Sequence, residues 1–507
     1  MALNDLTHYR IICRNASLYG NKMAWHEAAT GKSVSFAEFR TMTDSLAAAL
    51  RSLGVGRGDR IGVLGKNSLE FFLLYGAAAA LGAVMLPVNW RLSAGEIAFN
   101  LKDGTPAIVF ADPEFEETIS QIRNELPSVR HCHSLAAPGT MLAPFPRLPE
   151  GSSGFTAEDI AADSDFFIIH TAAVAGRPRG AMLSHANLVF SNLEFIRAMS
   201  LQPNDVHLNV LPLFHVGGLC MTMSCFHAGA ACLNLARFDA GAAVSLIAEK
   251  KATVMFDFAP ILGALLDQSD KEGRDLSTLR KVIGLDSPDT IVRYQNTTGG
   301  TFYSFFGQTE TSCLTTVSRY DDRPGSAGRP VPAAEVDLVD DDDRPVGEEE
   351  TGEIVVRGPM VFKGYINLEA DTAHAFRRGW HHTGDLGQFD ADGFLHYKGR
   401  KAEKELIKPG GENVYPAEVE NTILQHPAIA ATVVIGVPDP KWKEGIKAVC
   451  QLHPGHHLSA KELIDFVGEK IARYKKPQYV QFVDELPQQA DGSPDRRKIK
   501  EVYGEGG

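Results

Sequence analysis

Apolar and polar positions alternate in two rhythms along the first three hundred residues. Residues 36–54, FAEFRTMTDSLAAALRSLG, place apolar side chains at helical spacing and end on a glycine, while RIGVLG (60–65) reads as a short buried strand. The stretch FFLLYGAAAALGAVMLPV (71–88) approaches the length of a bilayer span. Tyr75, Gly76, Gly82 and Pro87 interrupt it, and its alanines carry little transfer energy, so it predicts a buried Ala-rich helix running through Gly82 into a strand. The helix LSAGEIAFNLKD and the strand AIVFA (107–111) follow. The alternation recurs over 165–290, where FFIIH, VHLNVLPLF, ACLNL, TVMFDF and KVIGL are strands between helices. Such spacing predicts βαβ units, mostly parallel sheets and two similar α/β halves.

After about residue 325 the pattern shortens to Val/Ile runs between turn residues, predicting antiparallel β structure. The acidic run Asp340 to Asp343 is expected in a solvated hairpin turn, and GFLHYKGR (393–400) as the last strand of this part. The charged segment KAEKEL (401–406) is a linker, and a compact tail of α/β texture follows it.

With 507 residues, 44% of them apolar and 22% charged, the chain can bury several cores. Its 63 acidic against 50 basic residues leave a net charge of −13, which argues against nucleic acid as a partner. Seven cysteines without a CxxC pair indicate neither a disulfide framework nor a zinc module. The N-terminus MALNDLTHYRIICRNAS has no signal-peptide pattern. The expectation is a cytoplasmic protein with no integral membrane span. His131-Cys132-His133 and the His453, His456, His457 group have metal-ligand residue types, but surface loops are the expected setting for both.

Four blocks carry candidate chemistry. FFIIHTAAVAGRPRGAMLSHANL (166–188) reads as a strand, a small-residue loop and a helix beginning near Ser184; such a loop lets backbone N–H groups converge on an anion, with Arg179 adding charge. No GK[ST] follows, so it is not a Walker A loop. FYSFFGQTE (302–310) is a strand that ends in an aromatic ring, a glycine and two oxygen donors, Thr309 and Glu310, suited to phosphate and Mg²⁺. In WHHTGDLG (380–387), Asp385 follows a glycine turn and could accept both hydroxyls of a ribose. YKGRKAEKELIKPGGENVYPAEVE (397–420) sets Arg400 before the linker and a Gly-Gly turn after it.

The order and spacing of these blocks resemble the adenylate-forming superfamily of acyl-CoA synthetases, firefly luciferase and peptide-synthetase adenylation domains. The resemblance runs from SFAEF (35–39) to ELP (485–487) and includes LPLFHVGGL (211–219), GEIVVRGPMVFKGY (352–365) and ARYKKP (472–477). No carrier-protein domain or luciferase-type tail is seen, which points to the acyl-CoA synthetase branch.

The resemblance implies an α/β fold: a large N-terminal region (1–400) of βαβ subdomains plus a small β-barrel-like part, and a mobile small α+β C-terminal domain (407–507) beyond the hinge linker 401–406. It implies ATP, Mg²⁺ and coenzyme A as co-reactants and a small carboxylic acid as substrate. A homodimer would meet through the large region. By position, Phe306 resembles the adenine-stacking aromatic beside Gly307 and Gln308, Thr309 the α-phosphate contact, and Glu310 the metal ligand. Asp385 and Arg400 resemble the ribose pair, and Gly284 the glycine before the acid pocket. Phe214, His215, Val216, Gly217 and Phe305 would line that pocket. His215 is either its gate or a hydrogen-bonded core histidine beside Phe214. Asp257 and Asp286 either answer a polar group of the acid or lie exposed. Gly410 and Gly411 would lie against pantetheine, and Lys404 or Glu405 is the hinge residue.

Two departures fall on phosphate handling. Where the superfamily has Thr-Ser-Gly-Thr-Thr-Gly-x-Pro-Lys-Gly, this chain has Thr171, Ala172, Ala173, Val174, Ala175, Gly176, Arg177, Pro178, Arg179 and Gly180. Loss of three hydroxyl donors could weaken the grip on phosphate by about 10²-fold. The second departure is the C-terminal catalytic lysine, six residues after a Leu-Pro. A gapless reading of LPQQADGSPDRRKIK puts Ser493 there, and a gapped one recruits Lys498. The expected activity is an acid–CoA ligase; the alternatives are an adenylation-impaired enzyme retaining thioester chemistry and a binding homologue without turnover.

Overall fold

The computed structural model describes residues 6–135, 141–146, 155–174, 177–401, 406–440, 442–488 and 494–505. The chain divides into two compact units, one of Met1–Trp90, Leu101–Ile169 and Gly180–Gly399, the other of Arg91–Asn100, His170–Arg179 and Arg400–Gly507.

In the first unit, a nine-stranded sheet has a parallel centre. Thr301–Phe306, Lys281–Leu285, Val254–Phe258, Val206–Asn209, Ala231–Asn234 and Met23–Glu27 lie side by side, with antiparallel strands at both margins. The expected parallel strands between residues 206 and 285 are thus present, whereas FFIIH belongs to the strand Asp165–Val174 of the other sheet, parallel to Val84–Val88. In a second sheet, Val84–Val88, Arg60–Leu64, Ile108–Ala111 and His131–Ser134 are parallel neighbours. His131-Cys132-His133 is therefore an edge strand rather than a surface loop: His133 is buried, stacks on Phe110 at 5.7 Å and bonds the Pro144 carbonyl at 2.8 Å.

The apolar stretch at 71–88 is the buried helix Leu69–Leu81 followed by the strand Val84–Val88. Ser68 caps the helix by accepting from the Phe71 N–H, and Gly82 ends it in the left-handed conformation at φ +69°. A Cβ at Gly76 would meet Thr43 at 2.9 Å and Ile12 at 3.0 Å, so a glycine lets this helix sit close to both neighbours. Among the described residues no helix is long and apolar enough to cross a membrane.

The part beyond residue 325 is a five-stranded, largely antiparallel sheet. Glu335–Val339, Gly352–Arg357 and Trp380–Phe389 run through it, and Leu395–Arg400 pairs with the last. Its acidic turn is more than solvated: Asp343 is ion-paired with Arg377 at 3.1 Å and with Arg378 at 3.8 Å. Asp340 accepts backbone N–H bonds from Asp342 and Arg344, which hold its carboxyl below the usual range.

The block at 166–188 departs from expectation. Instead of a loop leading to a helix, the strand Asp165–Val174 returns as the strand Arg177–Ser184, and Ser184 then caps the helix His185–Met199.

In the second unit, Ile429–Asp439 pairs antiparallel with Lys443–Leu452, which pairs parallel with Tyr479–Val483. Alternation sends Val434, Ile446 and Cys450 into one core with Val419 and Leu463, and Val433, Ile435 and Val449 into another with Ile499. Lys475 is buried in the same unit between Glu96, at 2.5 Å, and Glu418, at 2.6 Å.

Candidate functional site

The strand Thr301–Phe306 delivers a sharp turn at its carboxyl end, the position where open α/β sheets bind ligands. Gly307 sits so close to the Cys313 carbonyl that a Cβ there would collide with it. That approach is closed by the Cys313 N–H donating to the Gln308 carbonyl at 2.9 Å and the Thr315 N–H donating to the Phe306 carbonyl at 2.9 Å. The following 3₁₀ turn, Thr309–Thr311, carries Glu310, whose Oε1 accepts from the Tyr365 hydroxyl at 2.8 Å. The backbone carbonyl of Glu310 accepts from the Phe362 N–H at 2.8 Å.

Asp385 reaches the same place from the strand Trp380–Phe389. Gly384, at φ +66°, donates its N–H to Glu353 at 2.8 Å, and Thr383 accepts from the Asp385 N–H at 3.1 Å. The Asp385 carboxylate is 2% exposed; Oδ2 accepts from the Gln308 amide, and Oδ1 from the Tyr397 hydroxyl at 3.0 Å. Gln308 Nε2 also donates to the Thr383 carbonyl at 3.0 Å, and its Oε1 faces His381 Nε2 at 3.4 Å. Phe306, Gly307, Gln308 and Asp385 thus form one cluster, with Glu310 on the adjoining turn. Tyr365, His381 and Tyr397 belong to it as well; sequence reasoning does not single them out, although they lie inside the blocks GEIVVRGPMVFKGY, WHHTGDLG and YKGRKAEKELIKPGGENVYPAEVE. Phe306 is buried with Leu338, Ile354 and Leu395.

His215 caps the helix Val216–His227, its Nδ1 accepting from the Gly217 N–H at 3.2 Å. A neutral ring therefore carries its hydrogen on Nε2. The ring meets Phe258 edge-on at 6.2 Å, and Phe256 packs against both Phe258, at 5.3 Å, and Phe305, at 5.2 Å. Gly217 faces these rings, with Phe258 3.2 Å from where its Cβ would be; Phe214 and Val216 are buried beside it. Gly284 pairs with Asp257 across the sheet and has no room for a side chain against the Asp257 carbonyl. Asp257 is wholly buried, its Oδ1 accepting from the Leu262 N–H at 3.0 Å, so the expected exposed alternative does not hold for it. Asp286, partly buried, accepts from its neighbour Ser287 at 2.6 Å.

The remaining residues lie in the second unit. Thr171 donates to the Arg179 carbonyl at 3.3 Å, and Arg400 to the Tyr415 hydroxyl at 3.4 Å. Gly410 has φ +59° and donates its N–H to the Trp442 carbonyl at 3.3 Å; a Cβ there would press on the Trp442 ring at 2.8 Å. Gly411 completes that 3₁₀ turn, and Glu412 after it is ion-paired with Arg91. Lys498 is exposed on the helix Arg496–Tyr503. Gly176, Lys404, Glu405 and Ser493 lie outside the described residues.

Among the described residues there is no group of three or more His, Cys, Asp or Glu side chains able to hold a metal. A Mg²⁺ ion delivered with a nucleotide does not need one, because phosphate oxygens and water complete its shell. Glu310 and Thr309 are hard oxygen donors on one turn, and Tyr365 holds one Glu310 oxygen in place. The donor set therefore fits.

Comparisons with known proteins show the family. Residues 13–366 match the AMP-binding enzyme family and 418–493 the AMP-binding enzyme C-terminal domain. An indoleacetate–CoA ligase of Aromatoleum aromaticum is 33% identical, with 93% of each chain covered. A feruloyl-CoA synthase of an Amycolatopsis species is 32% identical over 94% of this chain and 95% of its own. The crystal structure of a protein described as a long-chain-fatty-acid CoA ligase, from Rhodopseudomonas palustris, is 43% identical and superposes with a TM-score of 0.74, covering 78% of this chain and 99% of the other. The close-packed Gly307 turn falls inside the matched stretch 13–366, and the chain belongs to the AMP-binding enzymes of the adenylate-forming superfamily.

Proposed function

We propose that this enzyme is an ATP-dependent carboxylic acid–CoA ligase. The acid's carboxylate attacks the α-phosphorus of ATP, forming an acyl-adenylate and releasing pyrophosphate. The CoA thiol then adds to the acyl carbon, AMP leaves with the electron pair of the broken C–O bond, and the thiol proton passes to solvent. The observation that carries this reading is the joining of Gln308 to Asp385 beside the Glu310 turn, in a chain of this family.

The chemistry asks for positioning and charge neutralisation rather than a covalent intermediate on the protein. Asp385 and Arg400 would hold the ribose, Phe306 the base, and Thr171, Gly176, Arg179 and Thr309 the phosphates. Glu310 would hold Mg²⁺, which when bound neutralises phosphate charge. Phe214, His215, Val216, Gly217 and Phe305 would enclose the acid, with Gly284 leaving it room. Gly410 and Gly411 would lie against pantetheine. Residues 1–400 and 407–507 would act as two domains hinged at Lys404 or Glu405. An aromatic monocarboxylic acid suits the Phe256, Phe258 and Phe305 rings, and the indoleacetate and ferulate relatives support that choice.

ATP–pyrophosphate exchange over a panel of aryl-acetic, cinnamic and straight-chain acids tests the proposal. At least one acid should support exchange above the acid-free rate, and failure of all of them while AMP still binds would remove it. A Ser493→Lys variant should raise exchange if Ser493 occupies the catalytic lysine's place; an unchanged rate favours Lys498.

A further inference from the structure

The segment Arg91–Asn100 belongs to the second unit, although Trp90 before it and Leu101 after it belong to the first. A triad of charges fastens it there. Lys475, only 4% exposed, donates through Nζ to Glu96 Oε1 at 2.5 Å and to Glu418 Oε1 at 2.6 Å. The Glu96 and Glu418 side chains are themselves only 13% and 11% exposed, so water screens the three charges little. Glu96 Oε2 accepts from the Ser93 N–H at 2.7 Å, the Ser93 hydroxyl at 2.6 Å and the Ala472 N–H at 3.0 Å. The acid that caps its own helix, Ala94–Gly104, thus also holds the chain just before Lys475. Glu418 differs: its Oε2 is buried and has no hydrogen-bond partner.

One ammonium against two carboxylates leaves one negative charge in excess, and an uncompensated charge is costly to bury. A proton on one acid removes it. Burial, and then the neighbouring Glu96 carboxylate, push the Glu418 carboxyl above its usual range against the pull of Lys475. Against burial, Lys475 and the Ser93 hydrogen bonds bring Glu96 below its own, so Glu418 is the acid that keeps the proton. The groups around them do not change the count. Tyr474, on the turn Arg473–Lys475, has its phenol pushed up by burial and by both glutamates and stays neutral. Arg91 is ion-paired with Glu412, and Glu420 with Arg496. The strand Ile429–Asp439 and the helix Ala460–Lys470 pack on the helix of Glu418, Pro416–Ile423, through Val434, Leu463 and Val467.

We propose that Glu96, Lys475 and Glu418 form a proton-gated clasp: a proton on Glu418 makes the triad neutral and keeps segment 91–100 fastened within the second unit, and loss of that proton to water loosens it. The clasp does not depend on the reaction catalysed. Its closed form binds the proton more tightly than its open form, so opening should increase as pH rises from 4.5, the carboxyl's ordinary value, and level off above the raised one. Hydrogen–deuterium exchange of the full chain between about pH 4.5 and pH 8 follows peptides spanning 94–104 and 471–475, read as protection factors so that the intrinsic pH dependence of exchange drops out. In the parent, both should lose protection together, by up to about tenfold per pH unit within the titration, while the strand Ile429–Asp439 stays protected. Glu418→Gln, whose amide imitates the protonated acid, should hold protection flat across this range. Glu96→Gln leaves one carboxylate for one ammonium, so Glu418 needs no proton and the slope should vanish whatever the level of protection. A Glu96→Gln variant with the parental slope would mean that burial alone titrates Glu418, and would overturn the clasp. Flat protection in the parent, or an intact slope in Glu418→Gln, overturns it equally. Should one variant not fold, the other and the parental slope decide by the same criteria.

Discussion

Tyr365 donates its hydroxyl hydrogen to Glu310 Oε1 at 2.8 Å, across 55 residues of sequence, and both side chains are buried. A hydrogen bond to a buried carboxylate contributes roughly 1.5–3 kcal/mol and selects one rotamer of the acid. Tyr365→Phe should therefore leave the proposed metal ligand loosely aimed. The Mg²⁺ concentration for half-maximal ATP–pyrophosphate exchange should rise about five- to tenfold, with the rate at saturating Mg²⁺ within about threefold of the parent. An unchanged Mg²⁺ dependence would dissociate Tyr365 from the metal.

Gly307→Ala places a methyl group against the Cys313 carbonyl, a backbone atom that cannot turn aside. Overpacking of this kind typically costs about 1–3 kcal/mol. Thermal unfolding should show a lowered Tm and exchange activity should fall with it, because the same turn carries Gln308, Thr309 and Glu310. Gly56→Ala, with nothing within 4 Å of the new Cβ, is the matched control and should leave both unchanged.

Acid should destabilise the first unit through its buried histidines. His8 is packed among Phe72, Phe166 and Phe226, His185 stacks on Phe166 and His227 is buried, and burial holds each of their pKa values down to about 3. Neither ring nitrogen of His8 has a hydrogen-bond partner among the described residues. Below pH 6.5 the unfolded chain protonates these rings and the folded chain does not, so stability falls as pH drops towards 3, by about 1.4 kcal/mol per histidine per pH unit. Denaturant unfolding between pH 7 and pH 4 should show this slope, and His8→Phe should reduce it by about one proton.

Asp112 should act in the opposite sense. Burial raises its carboxyl pKa from 3.8 to about 6, although the Lys66 N–H donates to it at 2.7 Å. Between those values the folded state keeps a proton that the unfolded state releases. Stability from this group is present in acid and lost as pH rises through about 6. Asp112→Asn, which keeps an acceptor for Lys66, should raise stability at pH 7.5 by up to about 2 kcal/mol and add nothing at pH 4. Equal effects at both pH values would rule out the titration.

Much of the architecture was legible without coordinates because it depends on local pattern. Leu69–Leu81 is a helix because its apolar run begins at the cap Ser68 and stops at Gly82, and the parallel strands announce themselves as short apolar runs between helical periods. The blocks around Phe306–Glu310 and Asp385 were equally plain, since each is contiguous and ends in turn residues with evident chemistry. Side-chain partnerships over long separations were not legible. Gln308 meets Asp385 across 77 residues, Tyr365 meets Glu310, and Lys475 meets Glu96 across 379. No periodicity encodes such pairs, because they depend on which strands the sheet sets side by side. The same reasoning covers the block at 166–188, where two strands stand in place of the expected loop, and Asp257, whose carboxylate is claimed by a helix start. Sequence by itself determined the elements, their order and the chemical types at the site. Tertiary structure alone decided which donors hold each carboxylate, because orientation is set by packing and hydrogen-bond satisfaction in a buried site, and those are properties of the assembled sheets.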